Sequence, residues 1–334
     1  MKKYISNALS LLIGSLFLFS CSLNRDPLSD YSDVSQGKTE TGTQIVFKNR
    51  AEVETYLAGI YQQMKDRQEH WYLDLLLIGD SHADNSYAGT TGAEVVPFEN
   101  NSIEGSNSVV DRDWGRYLED VGRANRLIIY VDSVADKSLS DTDIRTYKAQ
   151  AKLFRALAMF DMVRIFGSIP VITTIAPDIT GDNVNEVYPQ YFPKQATEEE
   201  AYKQIEKDLV DGLADAPANN NGNKTLFTKS VARAMLAKIY AEKPIRDYAK
   251  VIQYVDALTA DGFDLNTNYS DLYAMNASNT DLAQRNTKES ILEAQFTSGG
   301  GNWATWMFGR DLSNYDNNFT WAKWITPSRD LIQA

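Results

Sequence analysis

One stretch constrains the fold more than any other: the 26 residues from Asp141 to Phe166. Ser140 ahead of it can cap a helix, Gly167 behind it can end one, and Pro170 lies just beyond. Between these marks Ile144, Tyr147, Ala151, Ala158, Met162 and Ile165 form one apolar stripe, and Leu153, Leu157 and Phe160 form another. A helix apolar on two sides must be covered on two sides, so it belongs inside a stack of helices. Its alanines let neighbouring backbones approach closely.

The flanking sequence supplies the neighbours. Asn49 can cap a helix, with Glu52 three residues on and Val53, Leu57, Ile60 and Met64 on one stripe. A second helix is expected from Asp113 through Val134, carried by Trp114, Tyr117, Val121, Ala124, Ile128 and Val131. Thr197 with Glu200 reads as a capping box that opens a helix on Tyr202, Ile205, Leu209 and Leu213. After a polar loop from Ala218 to Lys224, a helix pair is expected over about Thr228–Glu242 and Arg246–Thr259, joined across Pro244. Paired helices with short turns predict a mostly α, tetratricopeptide-like scaffold. No clean self-similarity at the period of about 34 residues is present, so any repeat is degenerate.

Composition closes off several function classes. The chain of 334 residues is long enough for one large domain or two ordinary ones. Its 33 basic against 45 acidic residues give a net charge of -12, a field that repels phosphate backbones and argues against a nucleic-acid partner. A single cysteine, Cys21, rules out an intramolecular disulfide and a thiolate metal cluster. The two histidines, His70 and His82, leave little from which to build a triad, a zinc site or a proton relay.

The N-terminus reads as an address. Lys2 and Lys3 precede an apolar run from Ala8 to Phe19, too short to span a bilayer but right for a secretory signal. The run Leu18-Phe19-Ser20-Cys21 resembles a bacterial lipobox, in which the cysteine thiol is lipidated and becomes the new N-terminus; Phe19 is bulkier than that motif usually carries. The polar stretch that follows, with almost no apolar residues, reads as a flexible tether. The expected division is a signal at 1–20, a lipidated N-terminus and tether at 21–44, and a helical domain at 45–334.

Seven tracts, in order, carry a family resemblance. They run from Trp114…Tyr117…Arg123-Ala124-Asn125, through Lys148-Ala149-Gln150-Ala151…Arg155-Ala156-Leu157-Ala158 and Val163-Arg164-Ile165-Phe166-Gly167-Ser168-Ile169-Pro170-Val171, to Ala201-Tyr202…Asp208-Leu209, Leu236-Ala237-Lys238-Ile239-Tyr240, Asp261-Gly262-Phe263 and Glu289-Ser290-Ile291. Behind a lipobox, this order resembles the SusD/RagB family of Bacteroidetes outer-membrane lipoproteins. The resemblance implies a tetratricopeptide-like scaffold under an irregular, loop-rich ligand face, an outer-membrane location facing the exterior, and no catalysis or cofactor. It also implies a SusC-like TonB-dependent transporter as partner and an oligosaccharide, or in the RagB-type variant a peptide, as ligand. Family members usually continue beyond the tract at Pro327–Leu331, so a C-terminal portion is expected to be missing.

Candidate ligand contacts lie in two loops. Asp80, Asp84 and Asn85 offer oxygen and amide groups for hydroxyls, and Tyr87 offers a ring face for a sugar. The same Asp80-x-His82-x-Asp84 spacing could hold a cation but lacks the glycine and distal glutamate of a calcium loop, so no metal is assigned. Near the C-terminus, Trp303 and Trp306 follow three glycines in a stretch where seven aromatics fall within the last 32 residues. On a loop rich in Gly and Asn such rings are offered to a partner. Asn125 and Arg155, by contrast, sit among apolar neighbours and are expected to hold the scaffold together. An enzyme alternative rests on Leu75–Ile78 followed by Gly79-Asp80-Ser81, which resembles the strand and nucleophile turn of GDS-type esterases. No histidine follows His82 to serve as the base. Paired carboxylates of a glycosidase have no distinguishing spacing here.

Overall fold

A computed structural model describes residues 46–87, 94–218, 224–296 and 326–334. From Phe47 onward the described residues belong to one compact unit. Six helices of 13 residues or more organise the described part: α1 (Arg50–Asp66), α2 (Ser108–Tyr130), α3 (Asp141–Phe166), α4 (Glu198–Asp215), α5 (Lys229–Ala241) and α6 (Tyr248–Ala260).

Their ends follow local chemistry. The Asn49 side chain accepts from the Glu52 amide at 3.0 Å, satisfying one of the donors a helix start leaves unpaired. Ser140 and Asp143 form a reciprocal capping box on α3, and Thr197 and Glu200 form one on α4. Gly167 closes α3 at φ 73°, a left-handed conformation that only glycine enters cheaply, and its amide bonds the Val163 carbonyl at 2.9 Å. The sequence expectation placed the start of α2 at Asp113; it lies at Ser108, capped by Asn107, whose side chain accepts from the Val109 amide at 2.9 Å. The stripe from Trp114 onward is regular, whereas the first turn is anchored from outside, through Val109 and the Asn107 amide's bond to the Glu94 carbonyl at 2.9 Å. At its far end α2 gives way to a 3-10 turn at Val131–Ser133. α6 begins at Tyr248, capped by Asp247, two residues later than the sequence placed it.

Helix α3 is the central element. It packs against α2 on one side and α4 on another, and it also meets α1 and α5. Ala149, Ala151, Leu153, Phe154, Ala156, Ala158, Met159, Phe160 and Met162 are all essentially buried, as a helix covered on two sides requires. Consecutive helices pair across short connections, α2 with α3 and α5 with α6. The architecture is a tetratricopeptide-like array of helix pairs. α4 approaches α3 closely because Gly212 has no side chain: a Cβ there would lie 2.6 Å from Leu153 Cδ2 and 3.3 Å from the Ala149 carbonyl.

The array is fastened by a buried polar network at the family-signature positions. Arg155 on α3 donates to both carboxylate oxygens of Asp208 on α4, at 2.7 and 2.6 Å, and to Asn125 Oδ1 on α2 at 2.6 Å. Asn125 in turn donates to the Ile172 carbonyl at 3.0 Å, and Gln204 donates to Asp208 at 3.0 Å. Bidentate, charge-assisted bonds of this kind are the strong ones. One network thus ties three helices and the connection leaving α3, the scaffold role the sequence suggested for Asn125 and Arg155.

Two local expectations are corrected. The Leu75–Ser81 run is not a strand and turn but the end of a helical segment, with π-helical turns at Glu69–Leu73 and Leu77–Ser81 around one α turn at Asp74–Leu76. A short apolar run carries no period that separates strand from buried helix. The notion of a strand at the Glu289–Ile291 tract, which the position of this tract in the family resemblance suggests, is also set aside: the tract is turn and bend. Residues 219–223 of the expected polar loop, the N-terminal 45 residues and the tryptophans of the C-terminal stretch lie outside the described residues.

Candidate functional site

The second π-helical turn delivers the chain to the Asp80–Tyr87 loop. Asp84 sits at φ 61°, the left-handed region that Asp tolerates better than most residues, and reverses the chain. The Asn85 amide then bonds back to the Asp80 carbonyl at 3.0 Å. Inside the turn the Ser81 and Ser86 hydroxyls are 2.7 Å apart and buried, so Ser81 is spent on holding the loop, while His82 is exposed. Among the described residues the Ser81 hydroxyl has Ser86 as its partner and not the base that an esterase nucleophile needs.

Beyond the turn, Ser86–Tyr87 (β1) pairs antiparallel with Thr326–Pro327 (β2), matching Ser86 to Pro327 and Tyr87 to Thr326. The Ser328 amide adds a bond to the Asn85 carbonyl at 2.9 Å. Ser328 also caps the five-residue helix Arg329–Gln333. Asp80 is half-buried, Asp84 and Asn85 are exposed, and Tyr87 is 47% exposed. These four predicted contacts therefore share one loop with an aromatic face open to solvent. Trp303 and Trp306, the other predicted contacts, and Cys21, the predicted lipidation site, lie outside the described residues.

The loop stands on a satellite core of Leu73, Leu77, Val95, Phe98 and Val109. That core also carries the wall of a polar cleft of about 430 Å³ lined by Glu94, Ser102, Glu104, Ser106 and Asn107. Carboxylates and hydroxyls in this number suit a hydroxyl-rich ligand. Sequence reasoning missed this cleft. The signal available is the run of Asn, Ser, Glu and Gly at 99–108. A second, apolar cleft of about 260 Å³ lies between α1 and the segment around Leu292, lined by Tyr61, Met64 and Leu226 among others. Tyr61 is fixed at its rim, donating to Gln150 at 2.7 Å and accepting from the Phe227 amide at 2.8 Å. Among the described residues no His, Cys, Asp and Glu group is arranged to hold a metal ion, and no helix is long and apolar enough to cross a membrane.

The comparisons with known proteins decide the family. Residues 30–241 match the SusD-like family described as "Starch-binding associating with outer membrane". The chain belongs to the SusD-like family. A SusD-like protein of Bacteroides ovatus is 27% identical over 236 residues, and SusD-like protein P2 of Formosa agariphila is 28% identical over 245. These alignments cover 67% and 72% of this chain but only 39% and 43% of the relatives, so the chain spans about two fifths of their length. Among solved structures, a laminarin-binding SusD-like protein superposes with a TM-score of 0.58 at 23% identity, covering 74% of this chain and 51% of its own. A SusD superfamily protein from Bacteroides thetaiotaomicron reaches 0.64 at 17% identity, covering 85% and 61%. In this SusD-like chain the family match takes in α1 to α5, the Asp80–Tyr87 loop and the polar cleft.

Proposed function

We propose that this chain is part of a cell-surface lipoprotein that binds oligosaccharides without cleaving them and passes them to a SusC-like TonB-dependent transporter. The observation that carries the proposal is the match of residues 30–241 to a starch-binding family associated with the outer membrane. The exposed Tyr87 ring would cover the apolar C–H face of a sugar, while Asp80, Asp84 and Asn85 take its hydroxyls. Trp303 and Trp306 are further candidates for ring stacking, by residue type. Lipidation at Cys21, with two or more acyl chains, would give a stable anchor where one chain would not.

The test is a glycan array on the soluble Cys21→Ala chain, followed by product analysis of any glycan bound. Retention of an oligosaccharide that is recovered uncleaved is the expected result. Turnover, or capture of peptides and no glycan, replaces this reading with an enzyme or a peptide binder. With a ligand identified, Tyr87→Ala, Trp303→Ala and Trp306→Ala should each weaken binding by about 1–3 kcal/mol, the worth of ring stacking on an aromatic. The Cys21→Ala chain should also leave the membrane fraction; if it still labels on intact cells, Cys21 is not the anchor.

A further inference from the structure

Seven buried side-chain atoms lack a hydrogen-bond partner among the described residues, and all seven lie in one place. They are His70 Nε2, Trp71 Nε1 and Asp74 Oδ1 on the π-helical segment, and Arg112 Nε, Asp113 Oδ2, Tyr117 OH and Asp120 Oδ2 on the facing turns of α2. An unpaired buried polar atom costs about 1–3 kcal/mol, so such a concentration demands an explanation. The π-helical turn is part of it. The Asp74 amide bonds the Glu69 carbonyl five residues back, and π turns of this kind gather at functional positions.

The charges explain more. His70 Nδ1 lies 3.1 Å from Asp113, and its Nε2 lies 3.6 Å from Asp120; all three are essentially fully buried. Asp74, also fully buried, is paired with Arg112, whose Nε stands 3.8 Å from Asp113. From the segment, Arg67 reaches Asp120 at 3.4 Å and Glu119 at 2.7 Å, and Glu69 faces Arg112 and Arg116. From α3, buried Asp161 adds a further negative charge toward Tyr117 and His70. Three fully buried carboxylates thus face one imidazole and two arginines that are only partly buried. Ionising all of them at once is expensive where water cannot help.

We propose that this cluster is a proton-binding latch: a proton on Asp74 and one on His70 hold the Glu69–Ser81 segment onto α2, and their loss releases the segment with the Asp80–Tyr87 loop it carries. The latch rests on how the segment is seated and not on what the loop binds.

The electrostatics agree in direction. Burial, and then the Asp113 charge, push Asp74 up to about 8 against the pull of Arg112. Burial alone would lower His70, but its bond to Asp113 and the nearby Asp120 carboxylate outweigh that and hold it above its ordinary value. Both groups take up protons more readily in the closed form. Their contribution to closure is complete below the ordinary values of 3.8 and 6.5 and is lost as pH rises through the raised ones. For Asp74 the window runs from pH 3.8 to about 8. Within it, opening coupled to release of one proton grows about tenfold per pH unit.

Hydrogen exchange on the purified full-length chain tests this, with rates corrected for intrinsic exchange. Between pH 5.5 and 8.5, peptides covering 69–87 should lose protection by at least tenfold while peptides of α4 and α5 stay flat. Asp74→Asn, a neutral isostere, should flatten the profile of 69–87. Equal pH response in all peptides, or none in 69–87, overturns the latch, as does an Asp74→Asn profile identical to the parent. If the variant does not fold, the parent chain still decides through its two histidine ring signals, His70 buried and His82 exposed. A His70 midpoint at or below 6.5 overturns the proposal, and one above it supports it.

Discussion

Two buried charge clusters lie on α2, Asn125 of one only five residues from Asp120 of the other, and they are built differently. In the first, every polar atom of Arg155, Asp208 and Asn125 has a partner, and the partners come from α2, α3, α4 and the connection at Ile172. In the second, around His70 and Asp74, seven atoms have none among the described residues. A fully satisfied network rigidifies what it joins, whereas a partly satisfied one stores a demand that protons, water or movement can meet. The finished cluster lies in the helical stack, and the unfinished one lies beneath the loop proposed to meet the ligand. Stability and responsiveness are thus divided between two turns of one helix.

The largest effect should come from breaking the finished cluster. Arg155→Met leaves the Asp208 carboxylate buried without its cation and should cost about 3–5 kcal/mol in urea denaturation. The double variant Arg155→Met with Asp208→Leu should regain most of that loss, because the charge left behind is the main penalty. If the double variant is as unstable as the single, the network contributes shape and not charge compensation.

Next in size is the close approach that the same two helices need. Gly212→Ala places a methyl group 2.6 Å from Leu153 Cδ2, so α4 must move off α3 or Leu153 must leave its rotamer. Overpacking of this kind costs about 1–3 kcal/mol. The shift should appear as a lower Cm with an unchanged slope. An unchanged Cm means the α3–α4 spacing is softer than the distances imply.

The scaffold was far more legible than the site, for physical reasons. Ser140, Gly167 and Thr197 act on the next few residues, so the ends of α3 and the start of α4 follow from local chemistry alone. Arg155 among alanines announced a buried partner without saying which. The π-helical turns could not be read, because Leu75–Ile78 has no period and its backbone is set by what Leu77 and Asp74 meet on α2 and the satellite core. The β1–β2 pairing joins Ser86 to Pro327 and Tyr87 to Thr326, far apart in the chain and through two positions each, below any pattern a sequence displays. Tyr87 was singled out by type, and only the fold shows it at a paired edge with its ring exposed.

The helical stack as a whole and the π-helical segment also differ in the sign of their pH response. In the stack, bonds from Arg50 and then Ser140 hold Asp143 well below the usual carboxylate range. Burial would raise Asp211, but Lys152 and Lys207 outweigh it and hold it low. A carboxylate with a lowered folded pKa contributes stability above its unfolded value, and loses it as pH falls through the folded one. Global unfolding should therefore become easier below about pH 4, whereas local opening of 69–81 becomes easier toward alkaline pH. Urea midpoints across pH, beside the local exchange rates, measure both. Two profiles of the same sign would erase the distinction between the stack and the segment.

The smallest effect separates cap from tether at Asn107, the residue that joins α2 to the wall of the polar cleft. Its Oδ1 accepts from the Val109 amide at 2.9 Å, and its Nδ2 donates to the Glu94 carbonyl at 2.9 Å. Asn107→Ala removes both and should cost about 1 kcal/mol, the ordinary value of an N-cap. Asn107→Asp keeps the acceptor, adds a favourable charge at the helix start and loses only the donor. On stability alone the Asp variant should lie within about 0.5 kcal/mol of the parent. What it gives up is the bond to residue 94, so exchange at 94–99 should quicken while that of 108–114 does not change. Equal quickening in both stretches would mean that the α2 start and the cleft wall move as one unit, and that the half-finished region opens as a larger piece than the π-helical segment alone.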